Sequence, residues 1–495
     1  MTPIGATIGP AVFAQAADRH TYLMIVMKFG GTSVGDAPRL REVVALTQRA
    51  LQTTDQVVLV CSAMAGVTDL LIAAVRAAAA GDAATAEELR RQIWARQRRV
   101  AGEVLHDEWE RERLTTDWAE LLKTLDRLLR SVAVVGELTP RVLDAVASLG
   151  ERWSIRLIAA LLRENKVAGQ AIDATELILT DDHFGSARPL PEQTDEQIRA
   201  RLLPALRSGI VPVVSGYLGA TADGVVTTLG RGGSDYSAAL IGAALAADEV
   251  RIWTDVDGIL TADPKIVGSA QTISELTYAE ALELASFGAE VLHPLTLGPV
   301  AARGIPLRIV NTFHPAHAGT RVHAGIAPRT RPVRAIISSR DLTLITIDSE
   351  DTESGTAAAT DALRTLDRYG IDVLMFVQSF AERSLTVVVR QADAPYAMQQ
   401  LAGAHAHNAV AATLQHSVAI VSVIGFGDTQ RLLTETLGAL NAAGAHVLAM
   451  ARGARNYHTS VVLPEDELPS TVRAIHDAMT VLSASTLPQP TTAIE

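Results

Sequence analysis

The chain has 495 residues, 48% hydrophobic and 20% charged, with a mean hydropathy of +0.20. That length fits two to four domains, each able to bury its own core. A net charge of -12 speaks against nucleic acid or an anionic membrane as the main partner. It does not exclude an anionic small substrate, because charge at one site can oppose the overall sign.

Residues 1–23 are mildly apolar, but Arg19 comes late and no basic region precedes the apolar part, so they make a poor secretory signal. They are expected to be a disordered extension, or translation from an upstream start with Met24 or Met27 as the natural beginning. Cys61 is the only cysteine, which rules out an intrachain disulfide and fits a reducing compartment. With no apolar run of membrane-spanning length, the expected location is the cytoplasm.

From Met24 onward, short apolar runs alternate with amphipathic or alanine-rich stretches. Strands are predicted at 24–28, 56–61, 169–174, 210–215, 250–254 and 307–310, with helices between them at 39–51, 69–80 and 234–246. Such alternation over nearly 300 residues points to an α/β domain, a mostly parallel open sheet sandwiched by helices, at 24–312. Residues 82–130 are rich in Arg, Glu, Leu and Trp at helical spacing and read as a helical insertion whose charges form a solvated face.

The stretch 311–334 is rich in Pro, Gly, His and Arg without periodicity, so 313–334 reads as a linker. His314, His317 and His323 lie in or beside it, but no cysteine or carboxylate cluster accompanies them and no metal site is expected. A repeat follows. Residues 342–389 and 418–463 both run strand, loop, helix, glycine stop, strand, turn, strand, with Gly370 and Gly444 at the stops. Two small tandem α+β modules, at about 340–412 and 416–480 within 335–495, are the economical reading.

Four stretches carry chemistry. In "MKFGGTSVGD" (27–36), Lys28 ends a strand, Gly30 and Gly31 let backbone approach a ligand, and Asp36 caps a helix with Pro38 in its first turn. A helix N-terminus behind a glycine loop suits an anion, although a plain strand–helix turn would read the same. The pattern is not a Walker loop. "TTLGRGGSDYSAAL" (227–240) repeats the arrangement around Arg231, where Asp235 is either a helix cap or a residue that orients a lysine. "CSAMAGVTDLL" (61–71) offers Ser62 and Thr68 as hydroxyls, with Thr68 or Asp69 as a cap the plainer reading. "WTDVDGILTADPK" (253–265) is an acidic loop at a strand's carboxyl end, where open α/β sheets bind ligands. "VIGFGDTQRLL" (423–433) has a glycine pair, but Gln430 replaces the third glycine of a dinucleotide fingerprint, so NAD binding is rejected.

Together "KFGGTS", "TTLGRGGSDYSA", "WTDVDGI" and "GAEVLHP" resemble the aspartate kinases of the amino-acid kinase family, in family order and at family-like separations. The resemblance implies the amino-acid kinase fold at 24–312 and two ferredoxin-like ACT modules after it. It implies phosphoryl transfer from ATP, with Mg²⁺, to L-aspartate, feeding lysine, threonine and methionine biosynthesis. Lys28 and Asp235 would be catalytic, Asp235 orienting the lysine. Ser62, Thr68, Glu151, Arg231, Gly232, Gly233 and Ser234 would bind aspartate, Glu151 pairing its ammonium and Arg231 its α-carboxylate. Lys28, Phe29, Gly30, Gly31, Thr254, Asp255, Leu260, Lys265, Glu290 and Val291 would line the ATP site.

Glu290 stands where many relatives have lysine, and Lys265 with Arg308 is expected to supply that charge instead. Gln378 and Ser379 would contact an amino-acid effector, threonine or lysine, the Gln-Ser pair being closer to threonine-responsive relatives. Arg452 replaces a glutamine in the second module. A homodimer or homotetramer through the ACT modules is implied. The alternatives are a catalytically silent ACT sensor, which only Glu290 favours, and a kinase for a related amino acid such as glutamate.

Overall fold

The computed structural model of the protein describes residues 23–286, 292–325, 334–349, 355–379, 381–404, 410–425, 429–453 and 458–485. The extension at 1–22, and Glu290 and Val291, lie outside the described residues. Two compact units emerge. One comprises the chain up to Asp255 with Gly298–Arg308, the other Val256–Leu297 with the chain from Ile309 onward.

In the first unit the strands are β1 (Met24–Phe29), β2 (Gln56–Cys61), β3 (Gly169–Ile172), β4 (Val211–Ser215), β5 (Leu218–Ala220), β6 (Val226–Thr228) and β7 (Glu249–Thr254). Five of them form a parallel sheet in the order β3–β4–β2–β1–β7, and β5 pairs with β6 as an antiparallel ribbon. The central strand β1 is buried at every residue, so its run of apolar side chains needs no alternation. The helices are α1 (Ala37–Leu51), α2 (Val67–Ala79), α3 (Ala83–Val104), α4 (Glu108–Val135), α5 (Pro140–Glu164), α6 (Pro191–Arg207) and α7 (Gly233–Leu245).

Helix α1 starts where its cap predicts: the Asp36 carboxylate accepts from the Arg39 N–H at 3.1 Å. It then buries Leu40, Val43, Val44, Thr47 and Ala50 at helical spacing. The expected insertion is the pair α3 and α4. Helix α5 is buried along most of its length, and the Trp118 indole of α4 donates to the Trp153 carbonyl at 3.1 Å. Strand β3 stops two residues earlier than predicted, because Asp173 caps a short 3₁₀ turn at Ala174–Glu176.

In the second unit β8 (Glu275–Thr277) leads into α8 (Tyr278–Ser286). Helix α9 (Pro294–Arg303) and strand β9 (Leu307–Asn311) are where the chain passes from one unit to the other. The expected linker is not structureless: β10 (Thr320–His323) lies inside it and pairs in parallel with β8. Both strands are only three or four residues long, below what periodicity can reveal.

Next come β11 (Arg334–Ser349), α10 (Gly355–Arg368), β12 (Met375–Ser379), β13 (Ser384–Arg390), α11 (Ala394–Ala404), β14 (Val410–Gly425), α12 (Thr429–Ala443), β15 (Ala449–Arg452), β16 (His458–Pro464) and α13 (Leu468–Ser485). The βαββ order occurs twice, as read. The six strands nevertheless form one antiparallel sheet, β12–β13–β11–β14–β16–β15. The first half of β11 pairs with the second half of β14, and the second half of β11 with the first half of β14 and with β13. Strand β11 therefore begins at 334, before the expected module start, and serves both modules. Each long strand is kinked at one left-handed residue, Asp341 (φ 56°) and Ser417 (φ 57°), and β11's register shifts there.

One core lies under α10 and α11, built from Ile345, Ile347, Leu366, Val387 and Leu401. The other lies under α12 and α13, where Ile336, Val421, Val423, Leu440 and Val472 pack with Ala262 from the acidic loop and with Ile266 and Val267 just after it. The Ile336 N–H donates to the Thr261 carbonyl at 2.8 Å, the Arg473 guanidinium to the Ile266 carbonyl at 3.1 Å, and His476 lies 3.2 Å from the Thr261 hydroxyl.

Candidate active site

A parallel sheet delivers the carboxyl ends of its strands to one edge. In the first unit, those of β1, β2, β4 and β7 bring Lys28–Gly30, Ser62, Gly216 and Thr254 there. The Gly30 N–H donates to the Trp253 carbonyl at 3.3 Å, the Ser62 N–H to the Phe29 carbonyl at 3.1 Å and the Gly216 N–H to the Cys61 carbonyl at 2.9 Å. Phe29 and Trp253 stack beneath with ring centroids 5.9 Å apart.

Lys28 is buried, and its Nζ lies 2.6 Å from Asp235 Oδ1. The tight position in the turn is Gly31, where a Cβ would stand 3.0 Å from the Ala63 carbonyl oxygen. Asp235 is not the cap of α7. Gly232, in the left-handed conformation (φ 72°), begins the helix without a side-chain bond, and Asp235 sits in the first turn. Its carboxylate is thus left to hold the lysine. Likewise Gly66 (φ 76°) starts α2, so neither Thr68 nor Asp69 caps it.

Ser62 and Ser234 meet, their hydroxyls 3.0 Å apart. A Cβ at Gly216 would lie 2.7 Å from the Ser234 side chain, so this turn closes only around glycine. Glu151 sits on the buried face of α5 beside the same turn. Burial pushes its pKa from 4.5 up to about 8, an upward push that the backbone near Ala63 only partly offsets. Its Oε2 is buried with no hydrogen-bond partner, a costly condition for a carboxylate unless a donor arrives. Thr68 faces the adjacent Gly150, its hydroxyl 3.6 Å from where a Cβ would stand.

Arg231 lies between Gly230 (φ 74°) and Gly232 (φ 72°), exposed. The described ion pairs give it no carboxylate. Thr254 and Asp255 end β7, with the Thr254 hydroxyl donating to Asp255 at 3.3 Å. Arg308, expected to share a charge role with Lys265, is engaged by Glu249 at 2.9 Å.

The remaining candidates lie in the second unit. Leu260 bridges to Thr272 at the base of the acidic loop, and Lys265 is exposed at its tip, its N–H on the Asp263 carboxylate at 2.8 Å. Gln378 and Ser379 end β12, and the Ser379 hydroxyl accepts from the Glu382 N–H at 3.3 Å. Arg452 ends β15.

Three residues not among the candidates lie beside these: Asp144, Tyr217 and Thr228, the last within the 227–240 stretch but not singled out in it. The only sequence signal for Asp144 is its position seven residues before Glu151, on the same helical face.

The first unit thus holds a lysine–carboxylate pair beside a glycine turn, a buried carboxylate oxygen without a hydrogen-bond partner and an exposed guanidinium without a described carboxylate, a candidate site for an anionic amino acid. Residues 24–311 match the model of the amino acid kinase family, and the chain belongs to that family. It is 35% identical to aspartokinase 3, chloroplastic, of Arabidopsis thaliana over 92% of this chain and 81% of the relative. It is 34% identical to lysine-sensitive aspartokinase 3 of Escherichia coli K12 over 74% of this chain and 78% of the relative. The crystal structure of E. coli aspartokinase III in complex with aspartate and ADP superposes with a TM-score of 0.79 at 30% identity, over 92% of this chain and 100% of that one. Within the family the chain groups with the aspartokinases.

Proposed function

We propose that the chain transfers the γ-phosphoryl group of ATP to the β-carboxylate of L-aspartate, giving 4-phospho-L-aspartate and ADP. The observation that carries this reading is the unmatched pair in the first unit: Glu151 Oε2 without a donor and Arg231 without a carboxylate. An α-amino acid supplies both, its ammonium to the first and its α-carboxylate to the second. N-acylated substrates would leave Glu151 unpaired. The relative solved with aspartate and ADP supports the same substrates.

The β-carboxylate, with an ordinary pKa of about 3.9, is already a nucleophile at neutral pH, so no general base is needed. The difficulty is electrostatic: an anion must approach a polyanion. Lys28, held by Asp235, would neutralise charge on the transferred group. The Gly31 N–H and the start of α7 would present N–H groups to phosphate. Magnesium would enter with the nucleotide as MgATP. Thr254, Asp255, Leu260 and Lys265 are the proposed nucleotide contacts.

The ACT sheet is proposed to bind an amino-acid effector near Gln378 and Ser379. A lysine-sensitive relative favours lysine; the Gln-Ser pair favours threonine. Assembly through this sheet into a dimer or tetramer, and action in the cytoplasm, complete the proposal. No helix among the described residues is long and apolar enough to cross a membrane.

The test is hydroxylamine trapping of acyl phosphate from L-aspartate with MgATP, repeated with glutamate, lysine and threonine. Hydroxamate from aspartate and little from glutamate is expected, suppressed by one effector. No hydroxamate from either acid would leave the silent-sensor reading.

A further inference from the structure

We propose that Asp144 is a positioning residue for the amino-acid substrate, a brace tying the helix that carries Glu151 to the turn that carries Arg231. This rests on the proposed aspartate reading of that site. Asp144 is 3% exposed. One carboxylate oxygen accepts from the N–H groups of Gly185 and Thr228, both at 2.9 Å, and the other accepts from the Thr228 hydroxyl at 2.8 Å. Thr228 is the last residue of β6, three before Arg231. Glu151 follows Asp144 by seven residues, two turns of α5 on one face.

Two further contacts converge on the same point. The Tyr217 carbonyl accepts from the Leu229 N–H at 2.8 Å, and Tyr217 itself holds a left-handed conformation (φ 70°), a strained state for a tyrosine. Its ring fills the space where a Cβ at Gly233 would stand, 2.7 Å from Cδ2. The Gly185 carbonyl lies 3.2 Å from where a Cβ at Gly230 would stand, so the loop fixed by Asp144 also abuts the turn before Arg231. A substrate gripped at its ammonium and its α-carboxylate needs those two anchors at constant separation. Glu151 and Arg231 sit on different elements, and Asp144 is the buried link between them.

The test is steady-state kinetics and calorimetric aspartate binding with Asp144→Ala, Asp144→Asn and Thr228→Val. Asp144→Ala removes three hydrogen bonds to an ionised acceptor and is expected to raise KM and Kd for aspartate by about tenfold or more. KM for ATP should stay within about twofold, and kcat at saturating aspartate within about threefold. Asp144→Asn keeps an acceptor for both N–H groups and a donor for the Thr228 hydroxyl, and should restore aspartate affinity to within about threefold. Thr228→Val should raise KM for aspartate severalfold, and it decides the matter if Asp144→Ala fails to fold.

Unchanged aspartate affinity in a folded Asp144→Ala protein, or KM values for both substrates rising in parallel, overturns the brace. The wild type separates the two claims. If it binds aspartate without phosphorylating it, the kinase reading fails while the Kd values still judge the brace. If it neither binds nor phosphorylates aspartate, both fall.

Discussion

With Glu151 as the proposed partner of the substrate's ammonium, its raised pKa would make aspartate binding a proton-coupled event. With a value of about 8 in the free enzyme, about one molecule in eleven has this carboxylate ionised at pH 7. The substrate's ammonium pairs with the ionised form, so KM for aspartate at pH 7 should be about tenfold above its high-pH limit, and at pH 6 about a hundredfold. Log KM should fall with a slope near −1 per pH unit up to about pH 8 and then level. The Tyr217 phenol lies close by, but its pKa is also pushed up by burial, so it stays neutral across this range. Initial rates of hydroxamate formation at varied aspartate, from about pH 6 to 8.5, measure the slope directly. In Glu151→Gln the neutral amide cannot pair the ammonium, so KM should be high and flat. A wild-type KM that is flat over this range, or a slope that survives Glu151→Gln, refutes the reasoning.

The same group gives stability a pH dependence. Its folded pKa lies above the ordinary 4.5, so its contribution is full below that value and is lost as pH rises through about 8. Aspartate should therefore raise Tm more at pH 8.5 than at pH 6.5 by thermal denaturation, and equal shifts would count against it. Asp235→Asn leaves Lys28 without its buried carboxylate and should lower kcat by about 10²- to 10³-fold while the far-ultraviolet spectrum is kept; a kcat within threefold would show that the pair is only structural. Gly216→Ala drives a methyl into Ser234 and should cost about 1–3 kcal/mol in urea unfolding, together with raised KM for aspartate. Cys61 is buried and its thiol pKa is pushed far up by desolvation, so disulfide reagents should titrate no thiol in the native protein and one after denaturation.

Where local chemistry decides structure, the sequence was a good guide. The buried runs at β1 and β2, the Asp36 cap and the small-residue helix α7 all fall within two residues of where pattern and capping put them. The lysine, the paired serines and the flanking glycines of the site were visible because close backbone approach demands those residue types. What stayed hidden depends on tertiary partners. Asp235 read equally as a cap or as the partner of a lysine, because nothing in its own segment reveals that a left-handed Gly232 starts the helix. Asp144 lies mid-helix in no motif, and its meaning comes from Gly185 and Thr228, 41 and 84 residues away. The repeat announced two modules, yet β11 and β14 run through both, since sequence order does not say that one strand can serve two sheets' worth of partners.

The acidic loop after β7 has a consequence for how such proteins can be recombined. Ala262, Ile266 and Val267 belong to the core beneath α12 and α13, although they follow β7 of the first unit in the chain. The polypeptide passes between its two units three times, at 255/256, 297/298 and 308/309. Cutting at the apparent connector, 313–334, would strip three apolar side chains of their packing and leave the matching hollow in the other half. A chimaera joined there would inherit a loop from one parent and its seat from another. The unit that has to move as one piece is therefore discontinuous, residues 256–297 together with those from 309 onward, and substitutions in the loop should be tolerated only alongside complementary changes in the helices that receive it.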